Sequence, residues 1–160
     1  MGIGVKVGGI LFLLLVVSTL VVGVVWQTSI RRSPLQKAFE SGHVPKPLPN
    51  GFYKGTIPLR TSWRGKFFDS TSNTGRNAFL LNDNMEYKYH FTTSVEKGIK
   101  DKKVDVLRLE YNVVGNHPLL KLVTDEITED APGHYVGKTH IFIPPGIPFT
   151  VVFFELEREW

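Results

Sequence analysis

Histidines, clustered carboxylates and tyrosines are the residues best suited to chemistry in this chain, and spacing limits what each could do. The five histidines are His43, His90, His117, His134 and His140. On an unbroken strand His134 and His140 would share a face but stand about 20 Å apart, too far to hold one ion. A metal centre would need His90 or His117 from another strand together with Asp125 or Glu126. The short ligand-spacing motifs are absent, so surface or rim histidines are the plainer expectation, and no metal is expected. The carboxylates Asp125, Glu126, Glu129 and Asp130 could form an acid/base pair only if one were desolvated. Asp130 adjoins Ala131-Pro132-Gly133, a turn signature, and the group reads as a charged strand end. No G-x-S-x-G elbow, P-loop or dinucleotide-binding glycine motif occurs. There is no cysteine, which excludes disulfides and thiolate chemistry.

Aromatic side chains remain, and their alternation indicates what positions them. In the segment 85–93, MEYKYHFTT, Met85, Tyr87, Tyr89 and Phe91 fall on one face and polar residues on the other. That is the pattern of a strand with one side buried. The Asn82-Asp83-Asn84 cluster predicts a hairpin turn joining it to 76–81. Similar segments are 51–57, 62–69, 104–111, 122–129, 135–143 and 149–157, with a helical turn after Pro118 and a charged loop over 96–103. About eight short strands with turn signals and no long helix predict an all-β domain, an antiparallel barrel of about eight strands. Glycines at 55, 65 and 137 interrupt the strands where a coiled sheet needs a bend or bulge. The interior of such a barrel is either just filled by side chains or open to one small ligand.

Several stretches carry a resemblance. Trp63-Arg64-Gly65-Lys66-Phe67-Phe68, the segment 97–101, Val106-Leu107-Arg108-Leu109-Glu110-Tyr111-Asn112, Asp125-Glu126-Ile127 and Gly133-His134-Tyr135-Val136-Gly137-Lys138 resemble uncharacterised bacterial small-barrel proteins. These are lipocalin-like, or calycin-type, in outline. The resemblance spans roughly residues 51–157 and implies a barrel. Where lipocalins carry Gly-x-Trp on the first strand, this chain has Thr61-Ser62-Trp63, and Arg158 is a loose counterpart of their late arginine.

Ahead of the barrel, residues 7–26 contain no charge. As a helix they would extend about 30 Å, the thickness of a bilayer core. Ser18 and Thr19 can each bond back to a carbonyl one turn earlier, and Trp26 suits the headgroup level. The run exceeds the usual core of a signal peptide, and no A-x-A site follows it, so a retained anchor is expected rather than cleavage. The expected organisation is a tail over 1–6, a transmembrane anchor over 7–26, a proline-rich tether over 27–50 and the barrel over 51–160. Within the tether, 31–41 could form one or two helical turns, and Pro45-Lys46-Pro47-Leu48-Pro49 favours an extended spacer.

The net charge of +4 is confined to the first fifty residues, which hold five basic side chains against Glu40 alone. The rest carries 14 of each sign. The excess would meet anionic lipid, and nucleic acid is not an expected partner. A single-pass protein of a bacterial inner (plasma) membrane is expected, with charge flanks too even to assign the side of the barrel.

The functional expectation is a non-enzymatic, membrane-tethered binding module for a small hydrophobic or lipid-like ligand, without a cofactor. Trp63, Tyr87, Tyr89, Phe91, Tyr111 and Tyr135 are the expected lining, because a buried tyrosine hydroxyl wants a polar partner. One alternative is a scaffold whose filled barrel binds another membrane protein. Another is a barrel enzyme on an apolar substrate, which a desolvated histidine or carboxylate beside a tyrosine would favour.

Overall fold

A computed structural model describes the backbone of residues 3–143 and 146–158, with side chains from residue 15 onward except residue 16. The chain divides into two units, 1–33 and 34–160. In the first, helix α1 (Ile3–Arg32) is continuous. The Ser18 and Thr19 hydroxyls both donate to the Leu15 carbonyl at 2.8 Å, as their spacing predicts. Among the described residues no helix is long and apolar enough to cross a membrane. Of the expected span over 7–26, residues 7–14 and 16 lie outside those whose side chains are described.

The second unit is built on eight strands: β1 (Gly51–Thr56), β2 (Trp63–Asp69), β3 (Thr74–Leu81), β4 (Asn84–Lys97), β5 (Asp105–Glu110), β6 (Val123–Ala131), β7 (His134–Ile143) and β8 (Ile147–Arg158). Each pairs with the next, β8 pairs with β1, and every pairing is antiparallel, so the sheet closes with no free edge. Closure removes the aggregation hazard of exposed strand edges. The β3–β4 hairpin turns on Asn82 and Asp83, both left-handed at φ 48° and 61°. Asn and Asp tolerate that conformation, and its twist suits a two-residue hairpin. A 3-10 turn, Pro118–Leu122, follows Pro118 as expected, and the His117 side chain accepts from the Leu119 amide. β4 continues to Lys97 rather than ending near residue 93, because Glu96 and Lys97 pair with Val106 and Asp105.

Four register shifts interrupt the ladders, and two of them, in β2 and β4, set which side chains enter the barrel near the site. In β2 the register shifts between Trp63 and Gly65, where Gly65 has φ 139°. A Cβ there would lie 2.0 Å from the Tyr53 carbonyl oxygen, so only glycine fits. In β4 the register shifts opposite Arg76 and Asn77, and the extra residue is Tyr89 at φ 56°. One inserted residue moves every later side chain to the other face. Phe91 is therefore buried inside the barrel, whereas Tyr87 lies outside beside Phe67 and Arg76. This corrects the expectation that Met85, Tyr87, Tyr89 and Phe91 share one face.

One half of the barrel is filled. Tyr53, Phe68, Phe91, Leu107, Leu109, Ile127, Tyr135 and Leu156 pack there as a continuous core. Tyr135 donates its hydroxyl to that of Tyr53 at 3.2 Å, which satisfies one buried tyrosine with another.

Residues 34–50 belong to this unit rather than standing free of it as a spacer. Helix α2 (Pro34–Ser41) packs against β6 and β7, with Phe39 wholly buried and the Thr128 hydroxyl donating to the Phe39 carbonyl at 3.0 Å. Lys138 lies 4.0 Å over the Phe39 ring and pairs with Asp101, which also accepts from Gln36 at 2.9 Å. The chain then bridges His43 to Glu129 before Pro45 and Pro49, both buried, lead into β1. Burial of Phe39, Pro45 and Pro49 holds this segment down where composition alone suggests an extended linker.

Candidate functional site

The other half of the barrel is open, and charged and polar side chains lie at the boundary with the filled half. Alternation places Lys66 on the same face of β2 as Phe68, Asn77 on the inner face of β3, and Asp125 on the same face of β6 as Ile127. Tyr111 enters just beyond the end of β5. Lys66 Nζ donates to Asp125 Oδ2 at 2.7 Å, to the Tyr111 hydroxyl at 2.6 Å and to Asn77 Oδ1 at 2.8 Å. The Tyr111 hydroxyl donates to Asp125 Oδ2 at 2.6 Å and accepts from Asn77 Nδ2 at 3.0 Å. Trp63 Nε1 donates to Asn77 Oδ1 at 3.0 Å. Lys66 is 2% exposed and Asp125 3%, so this is an ion pair removed from water. Its geometry and extra hydrogen bonds offset the desolvation that makes such pairs costly.

Burial pushes the Lys66 ammonium below its usual range, opposed by the charge of Asp125 and by its hydrogen bond. Burial also holds the Tyr111 phenol well above its usual range, reinforced by the Asp125 charge and hydrogen bond. Both shifts follow from low local polarity acting on groups that would otherwise exchange protons with water. The rings of Phe154 and Phe91 lie 5.1 Å and 5.3 Å from Lys66 Nζ, adding cation–π attraction.

Above this floor lies a cavity of about 290 Å³. Its walls are mainly apolar, including Ile57, Trp63, Phe79, Val123, Val152 and Phe154, with Lys66, Asn77, Tyr111 and Asp125 below. Trp63 packs edge-on to Phe154 at 5.8 Å, and Tyr89 to Phe79 at 5.5 Å. The size is at the small end for an organic ligand. The cavity opens at the barrel end that carries the 57–62 loop, the β3–β4 turn, the 111–122 connection and the β7–β8 hairpin.

Of the six expected lining residues, Trp63, Tyr89 and Tyr111 border the cavity. Phe91 and Tyr135 belong to the filled half, and Tyr87 faces outward. Lys66 and Asn77 were absent from the sequence expectation, and Asp125 entered it only among the carboxylates read as a charged strand end. Their signal was present, since each alternates with an inward apolar neighbour, but a lone lysine or carboxylate in a strand ordinarily marks a wet face.

The carboxylates grouped in sequence are separated in space. Asp125 lies inside the barrel and Glu126 outside, where Glu126 is wholly buried and accepts from the Ile99 amide at 2.6 Å. His140, expected at the surface or rim, is also wholly buried, with Nε2 3.2 Å from Glu126 and Nδ1 3.2 Å from the Thr150 hydroxyl. His134 bonds Asp130 at 2.5 Å and lies 3.3 Å from Glu155 at the far end of the barrel. Among the described residues no group of three or more histidines and carboxylates gathers as a metal site.

Fold and site together define a class: a closed, eight-stranded up-and-down barrel, half filled and half hollow, with a buried ion pair across its middle. A protein from Thermomonospora curvata, known from a crystal structure, is similar, at a TM-score of 0.58 and 15% identity over 81% of this chain and 88% of that one. That likeness carries the antiparallel barrel and not a lipocalin-type outline. No protein-family model matches the chain, and no curated protein does.

Proposed function

We propose that this protein is a membrane-tethered binding module for a small hydrophobic molecule, held in the open half of the barrel. The observation that carries the reading is the apolar-walled cavity of about 290 Å³. An interior left unfilled loses the contacts that packing would supply, and a ligand with an apolar body restores them. Exposed Leu59, Leu119, Ile143 and Ile147 lie on loops and strand ends at the open end, so a ligand arriving from lipid meets apolar surface first. The uncharged run over 7–26 and its basic flanks support confinement to a membrane. Titrating the full chain in lipid nanodiscs with toluene should shift the Trp63 indole N–H resonance saturably. A resonance that does not move, or moves without saturating, overturns the reading.

A second reading, an enzyme on an apolar substrate, draws on one observation: an amine of lowered pKa, a phenol and a carboxylate meet within 2.7 Å at the cavity floor. A desolvated lysine can attack a carbonyl carbon, losing water to form an imine. Hexanal with cyanoborohydride, which supplies the hydride that reduces an imine to a stable amine, should then label Lys66. Mass spectrometry finding Lys66 unmodified removes this route.

A further inference from the structure

Large apolar side chains left exposed on the barrel gather round its open end. Leu59, Met85, Val114, Leu119, Ile143 and Ile147 lie on or beside the four connections there and are between 44% and 102% exposed. At the opposite end the turns 70–73, 98–103 and 132–133 expose no large apolar side chain among the described residues. Apolar surface collected round one opening marks a contact rather than scattered exposure.

Charge and ring chemistry indicate what covers it. The same connections carry the exposed bases Arg60 and Lys121 against one acid, Asp83. Basic side chains round an apolar tip are drawn to anionic headgroups while the tip enters the acyl boundary. Further down β4, Tyr87 and Tyr89 are each 43% exposed, and amphipathic rings suit the headgroup level. A protein seated on this rim would close the cavity, whether a partner or a second copy. Lipid covers the rim and leaves the entrance open to apolar molecules.

We propose that the open end of the barrel seats in the surface of an anionic bilayer, so that the cavity exchanges its ligand with lipid rather than with water. This rests on the membrane-tethered reading above and gives the barrel a lipid contact separate from the anchor. The contact is shallow, so it orients a tethered barrel and would not hold a free one.

The test places the full chain in nanodiscs of phosphatidylcholine and phosphatidylglycerol whose acyl chains carry a nitroxide near the headgroup. Methyl signals of Leu59, Leu119 and Ile147 should lose most of their intensity, as should Val24 of α1. The Ser72 amide at the far end should keep its own. Leu119→Glu combined with Ile147→Glu, both at exposed positions, should restore the Leu59 signal and leave the buried Ile127 methyl unshifted. Leu59 broadening that survives this pair reflects tethering alone and overturns the proposal. Rim methyls that stay sharp while Val24 broadens also overturn it and leave the anchor standing. In that case, rim signals that shift with the number of chains per disc assign the patch to a second copy. If Val24 stays sharp as well, the membrane-tethered reading falls too.

Discussion

At the scale of single residues, the protein keeps protons where water would remove them. Tyr111 and Tyr135 are buried phenols whose pKa values lie above the ordinary 10.0, raised first by burial and then by their hydrogen-bond partners. A raised phenol favours the fold fully below pH 10 and loses that contribution as pH climbs, because only the unfolded chain ionises there. Lys66 acts in the opposite sense: its lowered pKa makes stability rise with pH until the unfolded lysine deprotonates near 10.5. Above about pH 10.5 only the tyrosine contribution is still changing, so stability against denaturant should fall with further alkalinity. Native-state ultraviolet titration should show Tyr111→Phe and Tyr135→Phe leaving the phenolate signal near pH 10 unchanged. A drop in that signal for either variant would mean that the phenol titrates normally.

At the scale of elements, glycines and bulges set the shape of the hollow. Gly137 on β7 leaves space for the Phe154 ring of β8, and a Cβ there would lie 2.2 Å from the ring. Phe154 walls the cavity and packs on Trp63. Gly137→Ala should therefore push Phe154 aside and cost roughly 1–3 kcal/mol by overpacking. The change should appear as a lower denaturation midpoint together with a displaced Trp63 indole resonance. A variant with the parent midpoint would show that the ring has room to move. Strand positions were legible in advance because alternation and turn residues are local: the hairpin at Asn82-Asp83 and the strand after Pro132-Gly133 fall where expected. The face of Tyr87 was not, because Tyr89 occupies an inserted position in β4. A bulge depends on how a partner strand pairs, which lies beyond any single stretch of sequence.

For the whole molecule, residues 51–160 are electrically balanced and the basic excess lies ahead of residue 51. Deleting residues 7–26 should release the protein from membranes into the soluble fraction, whereas the full chain should stay with the pellet through high-salt and alkaline washes. Equal release of both would remove the anchor from the account. Residues 34–50, part of the tether expected over 27–50, instead cap the outer wall of β6 and β7 through Phe39 and its contact with Lys138. Their proline content suggested extension, but burial of Phe39, Pro45 and Pro49 outweighs that local preference.

Sequence alone determined the all-β class, the number of strands and their turns, since these depend on the two-residue period and on local backbone preferences. It also marked the aromatic residues among which any ligand would be held. Tertiary structure decided which half of the barrel is filled and that Lys66 and Asp125 meet inside it. Residues 66 and 125 lie 59 positions apart, and only closure of the sheet brings them to 2.7 Å. The partners of a buried ion pair belong to an assembled chamber, and no linear pattern encodes them.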